Sequence, residues 1–151
     1  NVDALPYTPT PDPSVVGIFS DVPAAGKDWM KPWIEEFYEL GITTGCGVNP
    51  MRYCPERQVT RAEMAVFILR AKHGATYTPP PPTGYFADLP VAGKAWMEAW
   101  VEQLYNEGIT TGCGVNASAQ PLYCPERPVN RAEMATFVVR AFEFPQMPDL
   151  P

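Results

Sequence analysis

The sequence predicts an all-α protein of two tandem helix–loop–helix repeats, each closed by its own disulfide and joined by proline-rich connectors. Three observations lead there. Blocks of sequence recur in fixed order: Phe19-Ser20-Asp21-Val22-Pro23 returns as Phe86-Ala87-Asp88-Leu89-Pro90, and Gly41 to Asn49 returns unchanged at Gly108 to Asn116. Within each copy the apolar residues fall at helical spacing. Each copy also carries one pair of cysteines. Self-similarity over a unit of roughly 55 residues marks a duplication, and it constrains every later reading.

The segments follow from that frame. Residues 1–18 form a proline-rich arm with no periodicity. Repeat 1 spans 19–74, a linker spans 75–85, repeat 2 spans 86–142, and a proline-rich tail spans 143–151. In repeat 1 the first helix carries Trp29, Trp33 and Phe37 at i, i+4, i+8, with Met30 and Ile34 alongside. Trp96, Trp100, Leu104, Met97 and Val101 repeat that broad apolar face. Gly41 and Gly108 end these helices, as a residue tolerant of positive φ does just past a C-terminus. The second helices open at Thr60-Arg61-Ala62-Glu63 and Asn130-Arg131-Ala132-Glu133, each with a capping residue and a glutamate three positions on. Met64, Phe67, Ile68 and Ala71, matched by Met134, Phe137, Val138 and Ala141, give those helices an apolar side. Strand signals are weak throughout. Pro79 to Pro82 favour an extended polyproline rod in the linker, and Phe144, Met147 and Leu150 make the tail sticky enough to lie along a groove.

Four cysteines permit three pairings. Duplication selects Cys46 with Cys54 and Cys113 with Cys124, because each unit closed its own bridge before it was copied. The longer stretch in the second copy, Asn116 to Tyr123 against Asn49 to Tyr53, lies inside the proposed loop and leaves both ends in place. A zinc site using all four thiolates is the rival reading; these spacings are wider than the short hooks of such sites, and no histidine stands nearby. Disulfides imply an oxidising, extracytoplasmic compartment.

Composition narrows the function. The chain has 151 residues, 46% of them hydrophobic, with 19 prolines and a net charge of −6. An acidic chain with a pI near 4.7 lacks the basic surface that nucleic acid or an anionic membrane requires, and no apolar run reaches the length of a membrane span. Without an initiating methionine or a leader, the chain reads either as a mature form after signal cleavage or as a piece of a longer protein. The only histidine, His73, has no cysteine or serine partner in view, and no phosphate loop, HExxH or G-x-S-x-G occurs. The expectation is a non-catalytic protein with no cofactor and no metal.

The motifs resemble the S-layer homology domain of bacterial surface proteins. That family shows an F-x-D-V start, a tryptophan in its first helix, G-I-x-x-G after it, then F-x-P and a T-R-A-E opening to the second helix. These stand here as Phe19, Asp21 and Val22, then Trp29, Gly41-Ile42 and Gly45, then Tyr53 and Pro55, then Thr60 to Glu63, and most of them recur in the second copy. The resemblance implies non-covalent attachment to a bacterial envelope through an acidic secondary cell-wall polysaccharide. Carried over by position, the glycan-binding candidates are Arg61, Arg131, Trp29, Trp96, Gly41 and Gly108. It implies a secreted protein held at the cell surface.

Each candidate has a plainer reading. Arg61 and Arg131 sit beside the positive end of a helix dipole, so each needs an anion, either an external one or an internal carboxylate such as Asp21 or Asp88. Trp29 and Trp96 lie on the apolar stripe, where core packing is the default; an indole edge exposed at a groove is the alternative. Glu63 and Glu133 are capping residues. The leading partner is an acidic cell-wall polysaccharide. The alternative is a structural subunit or protein–protein assembly module of an extracellular surface layer or filament, its partner another envelope protein or a second copy of the chain, because repeat units seldom bury their apolar surface alone.

Overall fold

A computed structural model describes residues 7–23 and 26–143. A 3-10 turn at Asp28–Met30 leads into α1 (Lys31–Glu39). Then come β1 (Gly47–Val48), β2 (Met51–Arg52), α2 (Arg61–His73), α3 (Trp96–Asn106), β3 (Gly114–Val115), β4 (Pro121–Leu122) and α4 (Arg131–Phe142). The chain divides into two compact units, the first ending at Arg57 and the second beginning at Gln58. The second unit therefore holds α2, the second helix of repeat 1, together with α3, β3, β4 and α4.

The all-α expectation is corrected by two small antiparallel sheets. β1 pairs with β2, with Gly47 opposite Arg52 and Val48 opposite Met51. β3 pairs with β4, with Gly114 opposite Leu122 and Val115 opposite Pro121. Each strand has only two residues, too few for alternating polarity to emerge from sequence. The disulfides staple these hairpins, Cys46 to Cys54 and Cys113 to Cys124, as the duplication argument expects.

Helix ends follow local sequence. Thr60 accepts from the Glu63 amide while Glu63 accepts from the Thr60 amide, and Asn130 and Glu133 do the same, so both capping boxes form. Gly108 adopts φ 71° and its amide donates to the Tyr105 carbonyl at 2.9 Å, closing α3.

The first unit packs Phe19, Val22 and Ile34 against Met30, Tyr38 and Tyr53. In the second unit the core runs through Ala62, Ala65 and Leu69 of α2, Met97, Val101 and Leu104 of α3, and Phe86, Ile109, Tyr123 and Phe137. The stripe buried by α3 is thus Met97, Val101 and Leu104, one residue round from the tryptophans. The described part of the arm lies along α1: the Thr10 and Asp12 amides donate to Glu36 and Glu39 at 2.7 and 2.8 Å. In the linker, Pro79 is buried and no helix or strand forms. The groove-binding reading of the tail falls on residues beyond 143, outside those described.

Candidate functional site

The duplicated arginines have opposite surroundings. Arg61 is 2% exposed. Its Nε donates to the Tyr123 carbonyl at 2.8 Å, Nη2 to the Gly112 carbonyl at 3.1 Å, and Nη1 to Glu133 Oε1 at 3.0 Å. The guanidinium also lies over the Tyr123 and Phe137 rings, 4.7 and 5.3 Å from their centroids. Neither Asp21 nor Asp88 is its partner. Arg131 is exposed, and its side chain makes no hydrogen bond or ion pair among the described residues.

The main chain reinforces the Arg61 clamp. The Arg61 and Ala62 amides donate to the Arg127 and Pro125 carbonyls at 2.9 and 3.1 Å, and the Tyr123 hydroxyl returns a bond to the Arg61 carbonyl at 2.9 Å. Burial pushes the Tyr123 phenol far above its ordinary range, so it remains a donor. Glu133 is held below the ordinary glutamate value, first by the Arg127 side chain, against some burial, and with Arg61 adding its charge.

Asp21 and Asp88 anchor the hairpins. Asp21 accepts the Tyr53 and Cys54 amides at 2.8 Å each, and Asp88 accepts those of Tyr123 and Cys124 at 2.9 and 2.7 Å. Burial works to raise Asp21, but these donors outweigh it and hold the carboxyl below its usual range. Each aspartate lies close to its disulfide sulfurs; bridged sulfurs are not thiolates, so the four-cysteine zinc reading has no ligands.

Trp29 is 71% exposed and Trp96 is 51% exposed. Neither indole N–H has a hydrogen-bond partner among the described residues. Each tryptophan follows a lysine two positions earlier. Lys27 pairs with Glu56 and Lys94 with Glu126, both at 2.5 Å, and all four side chains reach solvent. Gly41 and Gly108 serve as helix caps, both at positive φ. His73 is exposed and bonds Glu107 at 2.8 Å.

Sequence reading missed two buried carboxylates. Glu35 and Glu102 are 3% and 4% exposed. Glu102 accepts the Thr83, Gly84 and Tyr85 amides, the last two at 2.7 Å, and Glu35 accepts the Gly17 amide. Each carboxylate ties the strap preceding its repeat to the first helix. Their signal was identity in both copies, while the neighbouring Glu36 and Glu39 became Gln103 and Asn106.

No protein-family model matches the chain. Over 126 residues it is 29% identical to an endoglucanase of Bacillus sp. (strain KSM-635), a match covering 83% of this chain and 12% of that enzyme. Over 128 residues it is 33% identical to an amylopullulanase of Thermoanaerobacterium thermosulfurigenes, covering 83% of this chain and 6% of that enzyme. The chain thus spans only a small fraction of either relative. Among the described residues no helix is long and apolar enough to cross a membrane.

Proposed function

We propose that this chain is a non-catalytic, extracytoplasmic module that holds an acidic cell-wall polysaccharide, with the S-layer homology resemblance as its frame. The observation that carries this reading is the pair of exposed indoles, Trp29 and Trp96, at equivalent positions beside Lys27 and Lys94. A flat aromatic face stacks on the C–H face of a sugar ring, and a neighbouring ammonium recognises a carboxylate or phosphate substituent by exchanging its glutamate partner for the ligand. The buried, internally bonded Arg61 serves the fold, so the cationic role passes to Lys27 and Lys94.

The two relatives support a non-catalytic role. Two enzymes named for different activities share this stretch, which is 12% of one and 6% of the other. A segment common to both does not distinguish their reactions. The disulfides support an oxidising location. The test is co-sedimentation of the oxidised chain with isolated cell walls, native and stripped of their secondary polymer. Retention on native walls and loss on stripped ones supports the reading; equal behaviour with both contradicts it.

A further inference from the structure

The same helix occurs twice in different states of cover. In α2, Arg61, Ala62, Ala65 and Leu69 are all buried, the first at 2% exposure and the others at 0%. Their counterparts in α4 are Arg131, Ala132, Ala135 and Val139, all exposed, with Val139 at 55%. What covers α2 is α3, α4 and the disulfide hairpin of the following repeat, with Glu133 and Phe137 of α4 against Arg61. That hairpin presents the Gly112, Tyr123, Pro125 and Arg127 carbonyls to the start of α2.

The first unit holds a second hairpin of the same construction. Cys46 and Cys113 amides donate to Arg52 and Leu122 carbonyls at 2.7 Å in both. Cys54 and Cys124 share a positive φ, 58° and 60°, and the two aspartates grip the same pair of amides. The cover differs. Tyr123 and Pro125 are buried, whereas Tyr53 and Pro55 are only partly so. The Tyr123 hydroxyl donates to Arg61, while the Tyr53 hydroxyl has no partner among the described residues. Among the described residues, the chain therefore carries a helix of the docking type with its face open and a hairpin of the receiving type with its face open.

We propose that α4 of one copy docks on the first-unit hairpin of a second copy, head to tail, with Arg131 donating to the Gly45 and Tyr53 carbonyls as Arg61 does to Gly112 and Tyr123. The occupant is a second copy because the receiving hairpin is encoded in this chain, with the counterparts of the Gly112 and Tyr123 carbonyls that already hold Arg61. Such a contact is heterologous, so it propagates into rings or filaments instead of stopping at a symmetric dimer. It needs no glycan and leaves Trp29 and Trp96 outside the contact, so it stands or falls separately from the proposed function.

The experiment is sedimentation equilibrium of the oxidised chain over a wide concentration range without any polysaccharide. The expected result is a mass that rises with concentration beyond the dimer. Arg131→Glu, at an exposed position that should leave thermal unfolding unchanged, is expected to weaken association at least about tenfold. Pro55→Glu on the receiving hairpin is expected to do the same. Mixing these two variants restores one intact contact, so it gives heterodimers and nothing larger. A wild-type monomer at every concentration, association indifferent to Arg131→Glu, or a mixture without heterodimers would each overturn the proposal.

Discussion

Arg61 Nη2 donates to the Gly112 carbonyl at 3.1 Å, across 51 positions of sequence. This bond and the one to Tyr123 bring the start of a repeat-1 helix onto the hairpin of repeat 2. A guanidinium suits the task because its planar fork offers donors in several fixed directions at once.

Removing that fork leaves Glu133 and two carbonyls without their buried donor. Arg61→Ala is expected to lower unfolding stability by about 3 to 5 kcal/mol in urea titration. Arg61→Lys recovers little, since an ammonium cannot reproduce the fork. Arg131→Ala, at the equivalent exposed position, is expected to change monomer stability by no more than about 0.5 kcal/mol.

The glycine before each first cysteine is a stronger requirement than the helix cap. Gly112 adopts φ 89°, and an added Cβ would stand 2.6 Å from the Leu122 carbonyl oxygen. Gly108, at φ 71°, has open space around it. Gly108→Ala is therefore expected to cost about 1 kcal/mol, from the left-handed backbone alone, and Gly112→Ala about 2 to 3 kcal/mol or more. Thermal unfolding of the two variants side by side checks the order.

Glu102 gives the fold an acid limit. Burial works to raise its carboxyl, but the Thr83, Tyr85 and Gly84 donors outweigh it and the folded value lies below the ordinary 4.5. A folded value below the unfolded one contributes stability that is full above the unfolded value and is lost as pH falls through the folded one. Stability is expected to be flat near neutrality and to decline below about pH 4.5. Glu102→Gln should lower stability at neutral pH and weaken that decline, as read by denaturant titration at several pH values.

Each disulfide closes a short loop, with sequence separations of 8 and 11. The chain-entropy model gives about 2.5 to 3 kcal/mol per bridge. Replacing Cys113 and Cys124 together by serine is expected to cost that much while the Asp88 bonds keep the hairpin's shape. Denaturant midpoints of the oxidised double variant and wild type measure the difference.

Local chemistry was legible from sequence. Thr60 with Glu63 and Asn130 with Glu133 announced their capping boxes, and duplication paired the cysteines correctly. Strands of two residues carry no periodic signal, which is why Val48 and Met51 escaped notice. The tryptophans misled because Trp96 and Met97 are adjacent and both apolar, so helical spacing alone could not tell which one faces the core. Arg61 and Arg131 show the deeper limit. Near-identical local sequence meets different surroundings: the hairpin of repeat 2 receives Arg61, while Arg131 is exposed.

Co-sedimentation with native cell walls, comparing wild type with the Trp29→Ala/Trp96→Ala double variant, addresses the central claim most directly. Both indoles are exposed, so the variant is expected to keep its stability within about 0.5 kcal/mol and to lose most of its retention on the walls. Undiminished retention by a folded double variant would contradict the account.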